Sequence, residues 1–97
     1  MPKGYLIAQI DVNDTETYAK YAAQTPGIVN QFGGRFLVRA GQWESFEGQD
    51  PGPRVVVIEF PSFERAQEYH HSDEYQAVVS LRQEASTGTV FIVEGAD

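Results

Sequence analysis

The sequence contains no cysteine, which excludes disulfides, thiolate metal sites and cysteine nucleophiles. That absence fits a reducing compartment, and we expect a cytoplasmic protein. Basic residues are also scarce, since seven Lys and Arg against fourteen Asp and Glu give a net charge of −7. Such a charge repels nucleic acid phosphates and anionic membranes, so neither is an expected partner. No apolar run approaches the roughly 20 residues of a membrane span, and the N-terminus alternates like a strand, unlike a signal peptide.

The composition is that of one small globular domain, residues 1–97, with 41% apolar and 22% charged residues. A chain of this length buries on the order of two thirds of the surface that its unfolded form exposes. A second copy of the chain would bury more.

The most informative stretch begins at Arg54. Val55 to Ile58 and then Phe60 form an apolar run that is too continuous for a strand with one solvent-exposed face. A strand covered on both faces, central in its sheet, is therefore predicted. Glu59 interrupts the run, and a carboxylate there is expected to be paired or to face a cavity. Pro61 ends the strand, and Ser62 and Ser72 are placed to cap two short helices.

The N-terminal third predicts a strand followed by a helix. From Lys3 to Val12 apolar and polar residues alternate, with Leu6, Ala8, Ile10 and Val12 on one face. Asn13 and Glu16 have the spacing of a capping box. Pro26 is expected to break or kink the helix into two pieces, and Gly33–Gly34 to end it.

Two further strands are predicted, from Arg35 to Ala40 and from Thr87 to Glu94. In the first, Phe36 and Val38 are expected on one face and Leu37 and Arg39 on the other. The segment from Gly41 to Pro53 is interpreted as the far end of a long hairpin.

The predicted order is β-α-β-β-α-β, the split βαβ arrangement, with strands one and three central and helices on one face. The other face of the four-stranded antiparallel sheet is then open and largely apolar, so we expect a second copy to cover it in a homodimer. The residues predicted on this open face are Tyr5, Ile7, Gln9, Leu37, Arg39, Val55, Val57 and Glu59.

The chain resembles the domain-of-unknown-function family thirteen-thirty, within the dimeric α/β-barrel superfamily. The matching segments are KGYLIAQIDV, TP, FGGRFLVRAG, RVVVIEFPSFERA, SDEYQ and IVEG. The resemblance implies a ferredoxin-like α+β fold that pairs sheet to sheet, and no settled activity. Superfamily relatives include cofactor-free monooxygenases, muconolactone-type isomerases and haem-binding proteins. The sequence departs from the family pattern at Asp73, where proline is common, and at His70, where another aromatic residue is frequent.

Arg39 and Glu59 are the first candidates for a site. On neighbouring strands they would lie within diagonal reach on the open face, as an anion-binding arginine oriented by a carboxylate. An interfacial structural ion pair explains them equally well. If a reaction occurs, Arg39 would stabilise an enolate while Glu59 or His70 moves the proton.

His70 and His71 are the only imidazoles. Consecutive helical residues diverge by about 100°, so they cannot share one metal ion, and no metal site is predicted. Haem binding through one of them is a third possibility, although no cofactor is expected. Tyr18, Tyr21, Tyr69 and Tyr75 fit a ligand cage or, as the helical spacing favours, core packing.

The predicted function is the binding of a small acidic or carbonyl-containing organic molecule inside the barrel. The alternatives are a cofactor-independent isomerase or monooxygenase-like enzyme, and a purely structural dimer without ligand. The residues expected at the ligand are Tyr5, Gln9, Arg39, Trp43, Glu59 and His70.

Overall fold

The computed structural model describes residues 2–96, which form four strands and four helices. A single helix follows the first strand, and three short helices precede the last. The elements are β1 (Gly4–Val12), α1 (Thr15–Gln31), β2 (Arg35–Arg39), β3 (Arg54–Phe60), α2 (Phe63–His71), α3 (Asp73–Gln76), α4 (Val79–Ala85) and β4 (Ser86–Glu94).

The strands form one antiparallel sheet in the order β2-β3-β1-β4, so β1 and β3 are central as predicted. Alternate residues of the central strands, among them Leu6, Ile10, Ile58 and Phe60, are buried beneath the helices. They pack with Val29, Ala66, Tyr69 and Tyr75 into one core. The predicted ferredoxin-like α+β fold is therefore confirmed.

The first helix begins one residue later than predicted, because Asp14 and not Asn13 is its cap. Asp14 has extended backbone angles, and its Oδ1 accepts a hydrogen bond of 3.1 Å from the Thr17 amide. The Asn13 amide instead donates to the Ala85 carbonyl, which ties the start of α1 to the end of α4. Gly33, with a φ of 76°, turns the chain after the helix as predicted.

The predicted break at Pro26 is wrong, since α1 runs without interruption through it. Proline has no amide hydrogen, so the carbonyl four residues earlier loses its helical donor. That carbonyl, on Ala22, accepts hydrogen bonds from Arg39 Nη2 at 2.9 Å and from Thr25 Oγ1 at 3.4 Å. Donors from side chains thus replace the missing amide, as they do in other helices that tolerate proline.

The predicted hairpin extension is also wrong, because residues 41–53, all of them described, contain no regular strand. The Trp43 indole Nε1 donates to the Pro53 carbonyl at 3.0 Å and so links the two ends of this connection. Two glycines and two prolines between Gly48 and Pro53 explain why a paired ladder does not form there.

The two serine caps are confirmed. Ser62 Oγ accepts from the Arg65 amide at 3.0 Å, and Ser72 Oγ accepts from the Tyr75 amide at 3.1 Å. These caps set the rotation of α2 and α3 so that Tyr69 and Tyr75, each 1% exposed, point into the core.

Candidate functional site

A β-bulge in β2 decides which way Arg39 points. Phe36 lies opposite Ile58 and Arg39 lies opposite Val56, so one residue of β2 in between is unmatched. Residues directly opposite each other in an antiparallel sheet share a face, and Ile58 and Val56 face the helices. The bulge at Leu37 therefore turns Arg39 to the helix side, where simple alternation would place it on the open face.

The predicted pairing of Arg39 with Glu59 is consequently wrong. Glu59 lies opposite Arg35, whose Nε donates to Glu59 Oε1 at 3.0 Å, and Tyr5 Oη donates to Glu59 Oε2 at 3.3 Å. Gln9 follows on the same face of β1 as Tyr5. Tyr5, Gln9 and Glu59 thus lie on the open face as predicted, whereas Arg39 lies on the opposite side of the sheet.

The two remaining predicted residues lie apart from both groups. Trp43 is part of the β2–β3 connection and is 41% exposed. His70, at the end of α2, is half-buried, with its ring centroid 5.5 Å from that of Tyr75 and 5.2 Å from that of His71. Burial lowers the pKa of His70, and the charges of His71 and Arg82 act in the same direction.

A small cavity of about 30 Å³ lies between the sheet and the helices. The sheet supplies an apolar floor, and tyrosines and arginines supply the walls. The floor residues are Leu6, Ala8, Ile10, Val56, Ile58 and Val90; the wall residues include Tyr18, Tyr21, Tyr69, Tyr75, Arg39, Arg54 and Arg82. A space of this volume accommodates a group about the size of one water molecule.

A larger cleft opens beside this cavity. Its volume is about 640 Å³, and Ile10, Tyr18, Ala22 and Arg54 line both spaces. Pro53, at the end of the β2–β3 connection, and Asp11, the one acidic residue among the described residues that line the cleft, are among the other lining residues. We call the two spaces together the helix-side cleft; the small cavity is its inner end, and the larger space is its mouth.

Three of the seven basic residues of the chain, Arg39, Arg54 and Arg82, line the inner cavity. Among the described residues that line it, none is Asp or Glu. Within residues 2–96 none of these arginines forms a salt bridge. These arginines form a positive site in a protein of net charge −7, which makes it a candidate site for an anion.

Each arginine has a neighbour other than a carboxylate, which for Arg82 is the pair of hydroxyls of Tyr75 and Tyr21. Arg54 Cζ lies 5.1 Å from the centroid of the Tyr18 ring, and Arg39 Cζ lies 4.7 Å from that of Phe36. Among the described atoms, Arg54 Nε and Arg82 Nε are buried and have no hydrogen-bond partner. Buried polar groups are normally paired, so these two donors are chemically available.

The inner end of the cavity holds a pair of tyrosine hydroxyls. Tyr21 Oη and Tyr75 Oη are 2.8 Å apart, and burial raises the pKa of Tyr21. Burial acts to lower the pKa of Arg82, but the hydroxyls of Tyr75 and Tyr21 outweigh it and the pKa is raised. Tyr21 is therefore protonated and Arg82 charged at neutral pH, which makes this end a cluster of donors.

Sequence reasoning missed Arg54 and Arg82 as site residues, although a signal was present for each. Arg54 continues the alternation of Val56 and Ile58, which are the buried members of β3. Arg82 follows Val78 by four residues and precedes Ala85 by three, so it lies on the buried face of its helix. A charge at a core position is the pattern that indicates a functional or paired group.

Two kinds of site receive no support from the described part of the chain. No group of three or more His, Asp and Glu side chains within residues 2–96 is arranged to hold a metal ion. No described helix is both long and apolar enough to cross a membrane.

The profile of the family described as Domain of unknown function (DUF1330) matches residues 3–96. The chain belongs to this family. The resemblance found in the sequence is thus confirmed, whereas no curated protein matches the chain significantly.

Solved structures share the fold at low identity. A protein of unknown function from Rhodopseudomonas palustris has a TM-score of 0.76 at 17% identity over 99% of this chain and 84% of its own. SnoaB, a cofactor-independent oxygenase from Streptomyces nogalater, has a TM-score of 0.62 at 7% identity over 100% and 96%. A putative antibiotic biosynthesis monooxygenase from Caulobacter crescentus has a TM-score of 0.61 at 11% identity over 99% and 92%. At such identities the likeness concerns the fold.

Proposed function

We propose that this protein binds a small organic anion, an acid or a carbonyl-containing molecule, in its helix-side cleft. The observation that carries the proposal is the convergence of Arg39, Arg54 and Arg82 on one cavity whose described lining contains no carboxylate. The class of ligand is the one that the sequence predicts. Its place differs, because Arg39 points to the helix side of the sheet.

The physical reason is the cost of a buried donor without a partner. Arg54 and Arg82 are half-buried, and a buried N–H group left unpaired costs about 1–3 kcal/mol. A carboxylate or enolate in the cleft would receive charge-assisted hydrogen bonds from donors such as Arg54 Nε, which is buried and unpartnered among the described atoms. The apolar floor would contact the body of the ligand, and the wide mouth gives it room.

A thermal-shift screen against organic acids tests this proposal. An acid that binds the folded protein raises its melting temperature, and Arg54→Gln should abolish that rise because the cleft loses a charge. Arg65→Gln is the matched control, since Arg65 lies on α2 and pairs with Glu68 at 3.1 Å. Equal shifts in wild type and Arg54→Gln, or no response to any acid, would contradict the proposal and favour a purely structural dimer.

The open face supports a second part of the proposal, a homodimer. Val38, Phe91 and Val93 are 37%, 42% and 43% exposed there, beside Ile7 and Val57 of the central strands. A contiguous apolar surface of this kind is usually covered by a partner. A second copy is the expected partner, and the cytoplasm is the expected compartment.

Enzymatic chemistry is the second candidate function. The fold is shared with SnoaB, a cofactor-independent oxygenase, and the cavity offers donors to an anionic oxygen. The proton-moving roles predicted for Glu59 and His70 find no support in their positions. Glu59 lies on the open face, and His70 is not among the described residues that line the cavity.

A further inference from the structure

We propose that Tyr21, Tyr75 and Arg82 form an oxyanion-binding site at the inner end of the helix-side cleft. This inference rests on the proposed function and adds the orientation and chemical class of the ligand. The ligand would be a phenol, an enol or a carboxylic acid, bound as its conjugate base with the anionic oxygen inward.

Donors and acceptors are not balanced at the inner end. Of the two hydroxyls 2.8 Å apart, one donates to the other, so one O–H is left over. The Arg82 guanidinium carries five N–H donors, of which some are used by the oxygens of Tyr75 and Tyr21, but its Nε is buried without a partner among the described atoms. Donors therefore exceed acceptors at this end, and an oxygen that only accepts would balance them.

The inner end also favours a negative oxygen electrostatically. Tyr69 and Tyr75 are each 1% exposed, so water screens the inner end poorly. In such surroundings a fixed positive charge and aligned hydroxyls stabilise a negative oxygen more strongly than they would in water. The site should stabilise the anionic form of a bound acid more than its neutral form, so the pKa of the acid should be lower when it is bound than when it is free.

The sizes of the two spaces fit such a ligand as well. The inner cavity, about 30 Å³, has room for one oxygen-bearing group and no ring. The adjoining cleft of about 640 Å³ has room for the rest of a small molecule. A ligand with a compact apolar body and one acidic oxygen at its end matches both spaces.

Titration of bound 4-nitrophenol tests the site, because only its phenolate absorbs visible light. With wild-type protein in excess, we expect the phenolate to bind about tenfold more tightly than the phenol, so that bound probe titrates about one pH unit below free probe. Tyr75→Phe and Tyr21→Phe should each reduce this difference, and Arg82→Gln should remove it. Arg65→Gln, on the outer surface of α2, should leave it unchanged.

The outcomes separate this inference from the function on which it rests. If organic acids stabilise the protein but 4-nitrophenol fails to bind, or titrates as it does free in solution, the oxyanion site is wrong and the anion-binding cleft stands. If Tyr75→Phe, Tyr21→Phe and Arg82→Gln titrate like wild type, the site is also wrong. If no acid stabilises the protein, both proposals fail. Circular dichroism shows which variants fold, and a single folded variant of the three suffices for the comparison.

Discussion

Arg39 Nη2 donates a hydrogen bond of 2.9 Å to the carbonyl of Ala22, the carbonyl that Pro26 leaves without a helical donor. One side chain of the sheet therefore completes the backbone bonding of α1 and lines the proposed anion site. The bulge at Leu37 makes this contact possible, because it turns Arg39 toward the helix.

The link between Arg39 and Pro26 can be measured with a double-mutant cycle. Arg39→Ala should destabilise the wild type by about 1 kcal/mol, since the Ala22 carbonyl loses its best donor. In a Pro26→Ala background the alanine amide supplies that donor, so Arg39→Ala should cost much less, with a coupling of about 0.5–1 kcal/mol. Urea unfolding of the four proteins gives the coupling. Additive effects of Arg39→Ala and Pro26→Ala would show that Arg39 does not serve the proline-containing turn. Arg35→Ala is the control, and its effect should be additive with that of Pro26→Ala.

The pH dependence of stability should reveal the environment of His70. Burial first, and then the charges of His71 and Arg82, lower the pKa of His70 from its ordinary 6.5 in the folded state. As the pH falls through 6.5 the unfolded chain takes up the proton first, so the folded state loses stability until the pH passes the folded pKa. His70→Gln should lose less stability than wild type between pH 7 and pH 5 in urea unfolding. His71→Gln removes only one of the smaller causes of the shift, so it should reduce the loss less than His70→Gln does. Identical pH profiles of wild type and His70→Gln would contradict the prediction.

The Asp14 cap should contribute in a different pH range. Hydrogen bonds from the Thr17 amide and hydroxyl lower the pKa of Asp14 from 3.8. The unfolded chain therefore binds the proton first as the pH falls, and the stability from the cap is complete above 3.8 and lost as the pH falls through the folded pKa. Asp14→Asn keeps a capping oxygen that does not titrate, so its urea midpoint should fall less than that of wild type between pH 5 and pH 2. Parallel declines of the two proteins would show that the cap is not charge-dependent.

Features set by short-range chemistry could be predicted from the sequence. The alternation of β1 assigned Leu6, Ala8 and Ile10 to the core, and Ser62 and Ser72 marked two helix starts. These features depend only on side-chain period and on local capping bonds. The order of the elements and the handedness of their connections then predicted the split βαβ arrangement, with β1 and β3 central.

The candidate site could not be predicted in the same way, because it depends on one unmatched residue. Without the bulge at Leu37, Arg39 would lie on the open face of the sheet, on the same side as Glu59, as the sequence predicted. The continuity of α1 likewise depends on a donor that is distant in the chain. Arg54 and Arg82 were visible at core spacings, but their charge suggested surface positions.

The homodimer is the prediction with the largest structural consequence. At the centre of the open face, Ile7 lies between Val57 of β3 and Phe91 of β4. Tyr5, Glu59 and Arg35 lie beside them. Complete burial of an exposed apolar side chain is worth about 1.5–3 kcal/mol, and these side chains are already partly covered, so each contributes roughly half of that. Because both copies contribute five or six such side chains, the sum is comparable to an association cost of about 4–15 kcal/mol. A dimer with twofold symmetry is expected, because two copies of one self-complementary face cover each other and leave no second apolar surface exposed.

Val57→Glu tests that pairing, because it places a charge at the centre of the face. Light scattering at micromolar concentration should give twice the single-chain mass of 10.8 kDa for wild type and the single mass for Val57→Glu. Gln67→Glu adds the same charge on the exposed side of α2 and should remain a dimer. Burying an unpaired carboxylate between two apolar sheets costs several kcal/mol per site, enough to dissociate the pair. A wild type of 10.8 kDa under these conditions would exclude the dimer, and the helix-side cleft would then have to function within one chain.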